Sequence, residues 1–348
     1  MILDLGDKEM IKVGKPDARN VIVIDIDGAI VQQKRLIDQY QPAVIPVQKN
    51  TQALRYWCRM GELEQLRQLF LSSVGTVKGK VIFYGSGDYH HLAYLWLSLI
   101  DEPVTVIQFD NHTDFWKSSP GHLHCGSWVI NSLELPHVRK VIQLGIDGDL
   151  KLSKDLPLPN FPMPQGPITH KISLLREGKV EVYPNSMHQS VLFWKVHAKL
   201  PCVEFKPGLL TTKAYWKNIR DNGGIELTLE RILPTIPTDT VYLTIDKDVL
   251  TESESFTNYP GYQGTMTLDE LLAAVSLIGK RKRILGVDVC GDGSYASVRG
   301  YYFKMYYAWM KDRKIPLSAF SSPENIRLNE DANLKILELL KEAHLKVD

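Results

Sequence analysis

The chain reads as an α/β protein, a three-layer α/β/α sandwich around a mainly parallel central sheet. Three observations predict this. Short continuous runs of β-branched and aromatic residues recur along the chain, as in strands buried on both faces. Amphipathic helical stretches separate them, so strand and helix alternate. Several of the apolar runs end in acidic residues, where a parallel sheet presents its carboxyl ends to ligands.

In order, the runs are these. Val21–Ile26 ends in Asp25-Ile-Asp27-Gly28. Leu54–Leu71 carries Leu63, Leu66 and Phe70 on one stripe and predicts a helix. Val81–Tyr84 runs into Gly85-Ser-Gly-Asp88-Tyr-His90-His91, followed by a short apolar helix over Leu92–Ile100. Val104–Phe109 runs into Asp110-Asn-His112-Thr-Asp114, and Val141–Ile146 precedes Asp147. The five prolines from Pro157 to Pro167 define a loop. From about 151 to 234 the pattern is irregular, which predicts an insertion on a single domain spanning 1–348. Val241–Ile245 runs into Asp246-Lys-Asp248. Thr267-Leu-Asp-Glu270 is a capping box opening a helix with Leu268, Leu271, Leu272 and Val275 inward. Ile284–Val287 precedes Asp288, Cys290 and Asp292, and Leu334, Leu337 and Leu340 mark a last amphipathic helix.

Composition narrows the function. The 348 residues are 44% hydrophobic and 23% charged, as in an ordinary globular protein large enough to bury a sizeable core. Lys and Arg number 41 against 40 Asp and Glu, so bulk charge argues against a nucleic acid or membrane-surface partner. The four cysteines, Cys58, Cys125, Cys202 and Cys290, form no CxxC pair. They read as reduced thiols of a cytoplasmic protein, neither a disulfide frame nor a thiolate zinc site. The N-terminus lacks a basic and then apolar leader, and no apolar run approaches the roughly 20 residues of a membrane span.

Asp110-Asn-His112-Thr-Asp114 carries the most chemistry. In extended chain these three side chains share a face, just past a buried strand. Crowded carboxylates and an imidazole cost desolvation and repulsion unless a cation offsets them. Asp246-Lys-Asp248 repeats the logic at another strand end. Together the two clusters describe a two-metal site. Its oxygen and imidazole donors favour Mn²⁺ over Mg²⁺, Fe²⁺, Co²⁺ or Zn²⁺.

The motif order resembles the ureohydrolases, the family of arginase and agmatinase. It runs GxGD-Tyr-His-His, DxHxD, Leu123-His124-Cys-Gly, DxD, and Gly264-Thr-Met-Thr267 before a helix, over roughly residues 80–295. The resemblance implies the three-layer fold, two Mn²⁺ ions per chain, and hydrolysis of a guanidino group to urea and an amine. It makes Asp110 and Asp246 bridging ligands, Asp114 a ligand that also touches the reacting water, and His112 and Asp248 ligands of the second ion. The first histidine ligand falls on His90 with one inserted residue, with His91 as the fallback. His124 matches the family's proton-carrying histidine.

Two departures bear on the substrate. Trp116 stands where arginases keep an asparagine that helps hold the free amino acid's carboxylate. The family's guanidinium-pairing glutamate falls at Gly291, leaving the neighbouring Asp292 as the carboxylate expected to serve instead. Among relatives, the peptide arginases fit these departures. They convert arginine side chains to ornithine within ribosomally made peptides, so the implied partner is an arginine-containing peptide. Free arginine, agmatine or a deacetylase-like amide substrate are the alternatives, and assembly into a homo-oligomer is left open.

Two rivals are weaker. Val21–Gly28 resembles the aspartyl-nucleophile motif of haloacid-dehalogenase-type phosphatases, but their downstream acidic pair fails at Ala296. Histone-deacetylase-like enzymes share the architecture but use one zinc and lack counterparts of Asp114 and Asp248.

Overall fold

A computed structural model describes residues 19–116, 118–148, 173–188, 200–207, 212–295, 298, 302–312 and 315–342. Twelve strands are described among them. They are β1 (Val21–Asp25), β2 (Ala43–Pro46), β3 (Trp57–Arg59), β4 (Val81–Phe83), β5 (Val104–Phe109) and β6 (His122–His124). They continue with β7 (Val138–Leu144), β8 (Val180–Tyr183), β9 (Val203–Pro207), β10 (Thr212–Trp216), β11 (Thr240–Asp246) and β12 (Arg283–Cys290).

Eight strands form one sheet in the order β2-β1-β4-β12-β11-β5-β7-β8. Every neighbouring pair in it is parallel. The continuous apolar runs are explained by burial on both faces: every residue of β1, β5 and β11 is buried. Helices α1 (Lys34–Tyr40), α2 (Thr51–Leu54), α3 (Met60–Ser73), α4 (Leu92–Leu97) and α5 (Trp128–Leu133) precede β7. Helices α6 (Gly224–Ile232), α7 (Leu268–Arg281), α8 (Tyr302–Asp312) and α9 (Pro323–Glu342) follow β10. They pack as two groups, α3–α4–α5 and α1–α9–α7–α6, which makes the three layers of the sandwich. The capping box at Thr267 is formed in both directions with Glu270.

Two expectations are corrected. The stretch Leu54–Leu71 is not one helix. Tyr56 takes a positive φ of 64°, which ends α2, and Trp57–Arg59 pairs antiparallel with His122–His124 before α3 begins. The irregular stretch is not wholly an addition to the core. Its strand β8 pairs with β7 at the sheet edge, and β9 and β10 form a separate hairpin. The proline-rich loop lies outside the described residues. No helix among the described residues is long and apolar enough to cross a membrane, and the four cysteines are free.

Candidate metal centre

Three loops meet at the carboxyl ends of the central strands. The loop after β4 carries His90, which follows a single 3-10 turn at Gly87–Tyr89. The loop after β5 carries Asp110, His112 and Asp114. The end of β11 carries Asp246 and Asp248. Gly87 lets the first loop settle onto the third: a Cβ there would sit 2.3 Å from Asp246 Oδ2. A second device pins the same loop. Asp88 is paired with Arg55 at 2.8 Å with both side chains fully buried.

His90 Nδ1 lies 2.8 Å from Asp114 Oδ2, 3.0 Å from Asp110 Oδ2 and 3.7 Å from Asp246 Oδ2. His112 Nδ1 lies 2.8 Å from Asp248 Oδ2 and 3.6 Å from Asp110 Oδ1. Asp110 therefore offers one oxygen to each imidazole. Two trios result, His90–Asp110–Asp114 and Asp110–His112–Asp248, each with donor atoms within 4.8 Å of one another. All six residues expected as ligands are brought together. Of the two histidines left open by the sequence, His90 enters the cluster. His91 is buried away from both trios, and burial holds its imidazole well below the ordinary range.

The surrounding groups aim these donors. Thr244 Oγ donates to Asp288 Oδ1 at 2.8 Å, which spends its one proton. Its oxygen, 2.9 Å from His90 Nε2, is then an acceptor. That fixes the proton of a neutral His90 on Nε2 and leaves a lone pair on Nδ1, facing the carboxylates. Tyr84 steadies Asp288 with a further bond of 2.7 Å. Trp128 Nε1 donates to Asp114 Oδ2 at 2.7 Å, and Gln108 Nε2 to Asp110 Oδ2 at 2.7 Å. The amide of Asn111 donates to Asp248 Oδ1 at 3.0 Å. Asp114 itself sits at φ 46°, a left-handed conformation that L-residues adopt at a cost, here where the side chain must turn back to the cluster.

The electrostatics fit a cation. Four carboxylates face two imidazoles, and all but His112 are buried. Without a metal, protons must make up the deficit. Burial and then Asp110 push Asp114 up to about 7. Burial and then Asp248 push Asp246 well up. Burial opposes charge on His90, yet Asp110 and Asp114 raise it well above the ordinary imidazole range. Asp248 and Asp110 do the same for His112. His90 Nδ1 and Asp248 Oδ2 are buried and lie at ion-pair distance without satisfying hydrogen-bond geometry. Donors crowded in this way suit metal coordination better than hydrogen bonding.

His124 stands apart from the trios, on β6 opposite Trp57 of β3. Its Nδ1 accepts from the Gly126 amide at 3.1 Å, so a neutral ring carries its proton on Nε2. Trp116 is half-buried beside this turn, its amide donating to the Gly126 carbonyl at 2.8 Å. Tyr259 places its ring 5.1 Å from that of His112.

Asp292 departs from expectation. Its Oδ1 accepts from Gln33 at 2.7 Å, Lys247 at 2.8 Å and Asn333 at 3.1 Å, and both it and Lys247 are buried. The charge meant for a substrate cation is already matched by Lys247. Nor does position 291 have room for the missing glutamate. Gly291 has φ +95°, and a Cβ there would lie 2.5 Å from Asp246 Oδ1 and from the Lys247 amide. Thr244 carries no signal in the sequence; its pairing with Asp288 across β11 and β12 places the two together beside His90.

Comparison with known proteins agrees on the architecture. No protein-family model matches the chain. An uncharacterized protein of Thermotoga maritima is 23% identical over 273 residues, 78% of this chain and 80% of its own length. Among solved structures, a proclavaminate amidino hydrolase from Streptomyces clavuligerus superposes over 94% of each chain with TM-score 0.54 and 14% identity. An arginase from Helicobacter pylori covers 93% of this chain and 98% of its own, with TM-score 0.50 and 9% identity. The chain shares the fold of these two solved structures, with an eight-stranded parallel sheet at its centre and candidate metal-ligand groups at the sheet's carboxyl end.

Proposed function

We propose that the protein is a binuclear metal-dependent hydrolase that releases urea from a guanidino group, with Mn²⁺ as its metal. The observation that carries this reading is Asp110, which offers one oxygen to each of two histidine-carboxylate trios. His90, Asp110 and Asp114 would hold one ion and Asp110, His112 and Asp248 the other, with Asp246 completing the set. Two such ions would supply an acidified water and positive charge beside the reacting carbon. The chain's own groups handle position and protons. Asp114 is gripped by Trp128 Nε1 at 2.7 Å, which aims its carboxylate at the cluster. His124, once protonated from solvent, would give its Nε2 proton to the leaving amine and return to the neutral ring whose Nδ1 accepts from the Gly126 amide.

For the substrate, we infer an arginine side chain within a peptide, converted to ornithine. Trp116 occupies the place of a carboxylate-holding asparagine. Tyr262 is 64% exposed, and with Tyr259 it leaves an aromatic rim suited to a chain rather than to a free amino acid. A second reading follows from Gly291 and the Asp292–Lys247 pair, since no spare carboxylate stands there for a guanidinium. In it, the bond cleaved belongs to a less basic amidine or amide. Urea release from an arginine-containing peptide, free arginine and agmatine, run beside amine release from an acylated amine, decides between them. Turnover of the peptide above the small guanidino compounds supports the first reading. Turnover of the acylated amine alone replaces it with the second.

A further inference from the structure

We propose that Cys290, His90 and Asp246 form a third, sulfur-bearing metal seat, one that thiophilic cations take in preference to the oxygen-rich seats. Cys290 is the last residue of β12 and stands directly opposite Asp246 in the β11–β12 register. The parallel pairing thus brings a thiol and a carboxylate side by side at the sheet's carboxyl end. The thiol sulfur, a nitrogen of His90 and an oxygen of Asp246 all lie within 4.8 Å of one another, and all three residues are buried. His90 Nδ1 is buried without a satisfied hydrogen bond, 2.8 Å from Asp114, 3.0 Å from Asp110 and 3.7 Å from Asp246, so one nitrogen faces both sets of donors.

The chemistry separates this seat from its neighbours. Carboxylate-rich donor sets suit Mn²⁺ and Mg²⁺, whereas thiolate with imidazole suits Zn²⁺ and, more strongly, the softer Cd²⁺. Three protein donors also leave a fourth position open, the common arrangement for a tetrahedral ion. His90 belongs to this trio and to the trio with Asp110 and Asp114. A soft ion that recruits His90 to the sulfur therefore withdraws it from the other seat. The centre would carry its own discrimination: hard ions assemble both oxygen-rich seats, and a soft ion disassembles one of them.

The test uses the full chain stripped of metal and titrated with Cd²⁺. The wild type should bind one Cd²⁺ with an ultraviolet sulfur-to-metal charge-transfer band. Cys290→Ser should lose the band and bind Cd²⁺ at least about ten-fold more weakly, as for loss of a metal-site partner. Mn²⁺ affinity should stay within about two-fold of wild type in the same variant. X-ray absorption of the wild type loaded with one Cd²⁺ should find one sulfur neighbour, which needs no variant to fold. A band that survives in Cys290→Ser, or a cadmium shell without sulfur, overturns the proposal. Neither measurement uses urea release, so failure of the hydrolase reading leaves this result standing.

Discussion

Two buried clusters of charge lie back to back around the same three residues. Asp246 and Asp248 turn into the candidate metal centre, and Lys247 between them turns the other way, to Asp292, Gln33 and Asn333. The Lys247 cluster is closed. One cation faces one carboxylate, and three donors converge on a single oxygen. Both clusters keep buried polar atoms without hydrogen bonds, Asp292 Oδ2 and Asn333 Oδ1 in the one and His90 Nδ1 and Asp248 Oδ2 in the other, but the other cluster is open in charge, with four carboxylates to two imidazoles. Buried charge by itself therefore does not mark a binding site. What marks one is buried charge that the protein does not balance.

The contrast can be broken experimentally. The largest effect is expected at the open cluster. Asp110→Ala or Asp246→Ala should reduce hydrolysis to background and lower bound metal from about two per chain, read by elemental analysis. Full activity with unchanged metal in either variant would undo the two-metal reading. In the closed cluster, Lys247→Met leaves Asp292 buried without its counter-charge. It should cost about 3–5 kcal/mol in denaturant unfolding of the metal-free chain. Asp246→Asn, which removes an unbalanced carboxylate, should leave that stability unchanged or raise it. Loss of stability in both would mean the clusters do not differ as described.

Two smaller effects sharpen the picture. His124→Asn should lower kcat by roughly ten- to a thousand-fold with metal content unchanged, and imidazole added to the assay should restore part of the rate. Metal loss in that variant would make His124 a ligand. The last effect is on pH. Asp114 is raised to about 7 in the metal-free chain, so below that pH a proton occupies the carboxylate that a metal needs. Metal affinity should therefore fall as pH drops through about 7, by up to about ten-fold per pH unit for each proton displaced. Calorimetry in buffers of different ionisation heat reads those protons. Affinity independent of pH between about 5.5 and 7.5 would contradict the raised Asp114.

Most of the scaffold was readable from local pattern. Strands buried on both faces announce themselves as unbroken apolar runs, and the Thr267–Glu270 box sets the start of α7. Asp110, His112 and Asp114 were readable as ligand-type residues just past a buried strand, although the loop bends at Asn111–His112 and turns left-handed at Asp114 instead of running extended. What escaped depends on contacts distant in sequence. The positive φ at Tyr56 follows from the pairing of Trp57–Arg59 with His122–His124, about 65 residues on. Adjacent residues such as His90 and His91 differ by roughly 100° around a helical turn. Only the settled loop decides which one faces the carboxylates. The pairing of Asp292 with Lys247, 45 residues away, leaves no local signal in the sequence. Cys290, alone in its stretch of sequence, meets His90 and Asp246 only across strands.

The ribbon of β3 and β6 has a consequence for how such a protein can change over time. His124 is mounted on that ribbon rather than on the main sheet. The ribbon is braced by Lys304 of α8, whose Nζ binds the carbonyls of Gln52, Ala53 and Trp57 at 3.0, 2.8 and 2.5 Å. The residues proposed to hold the ions hang from the sheet, and the residue proposed to carry protons hangs from a bracket with its own support. Substitutions in α8 would reach His124 first and the His90 loop only through the Arg55–Asp88 pair and the Tyr56 amide on the Asp88 carbonyl. Selection could then tune rate more freely than metal retention.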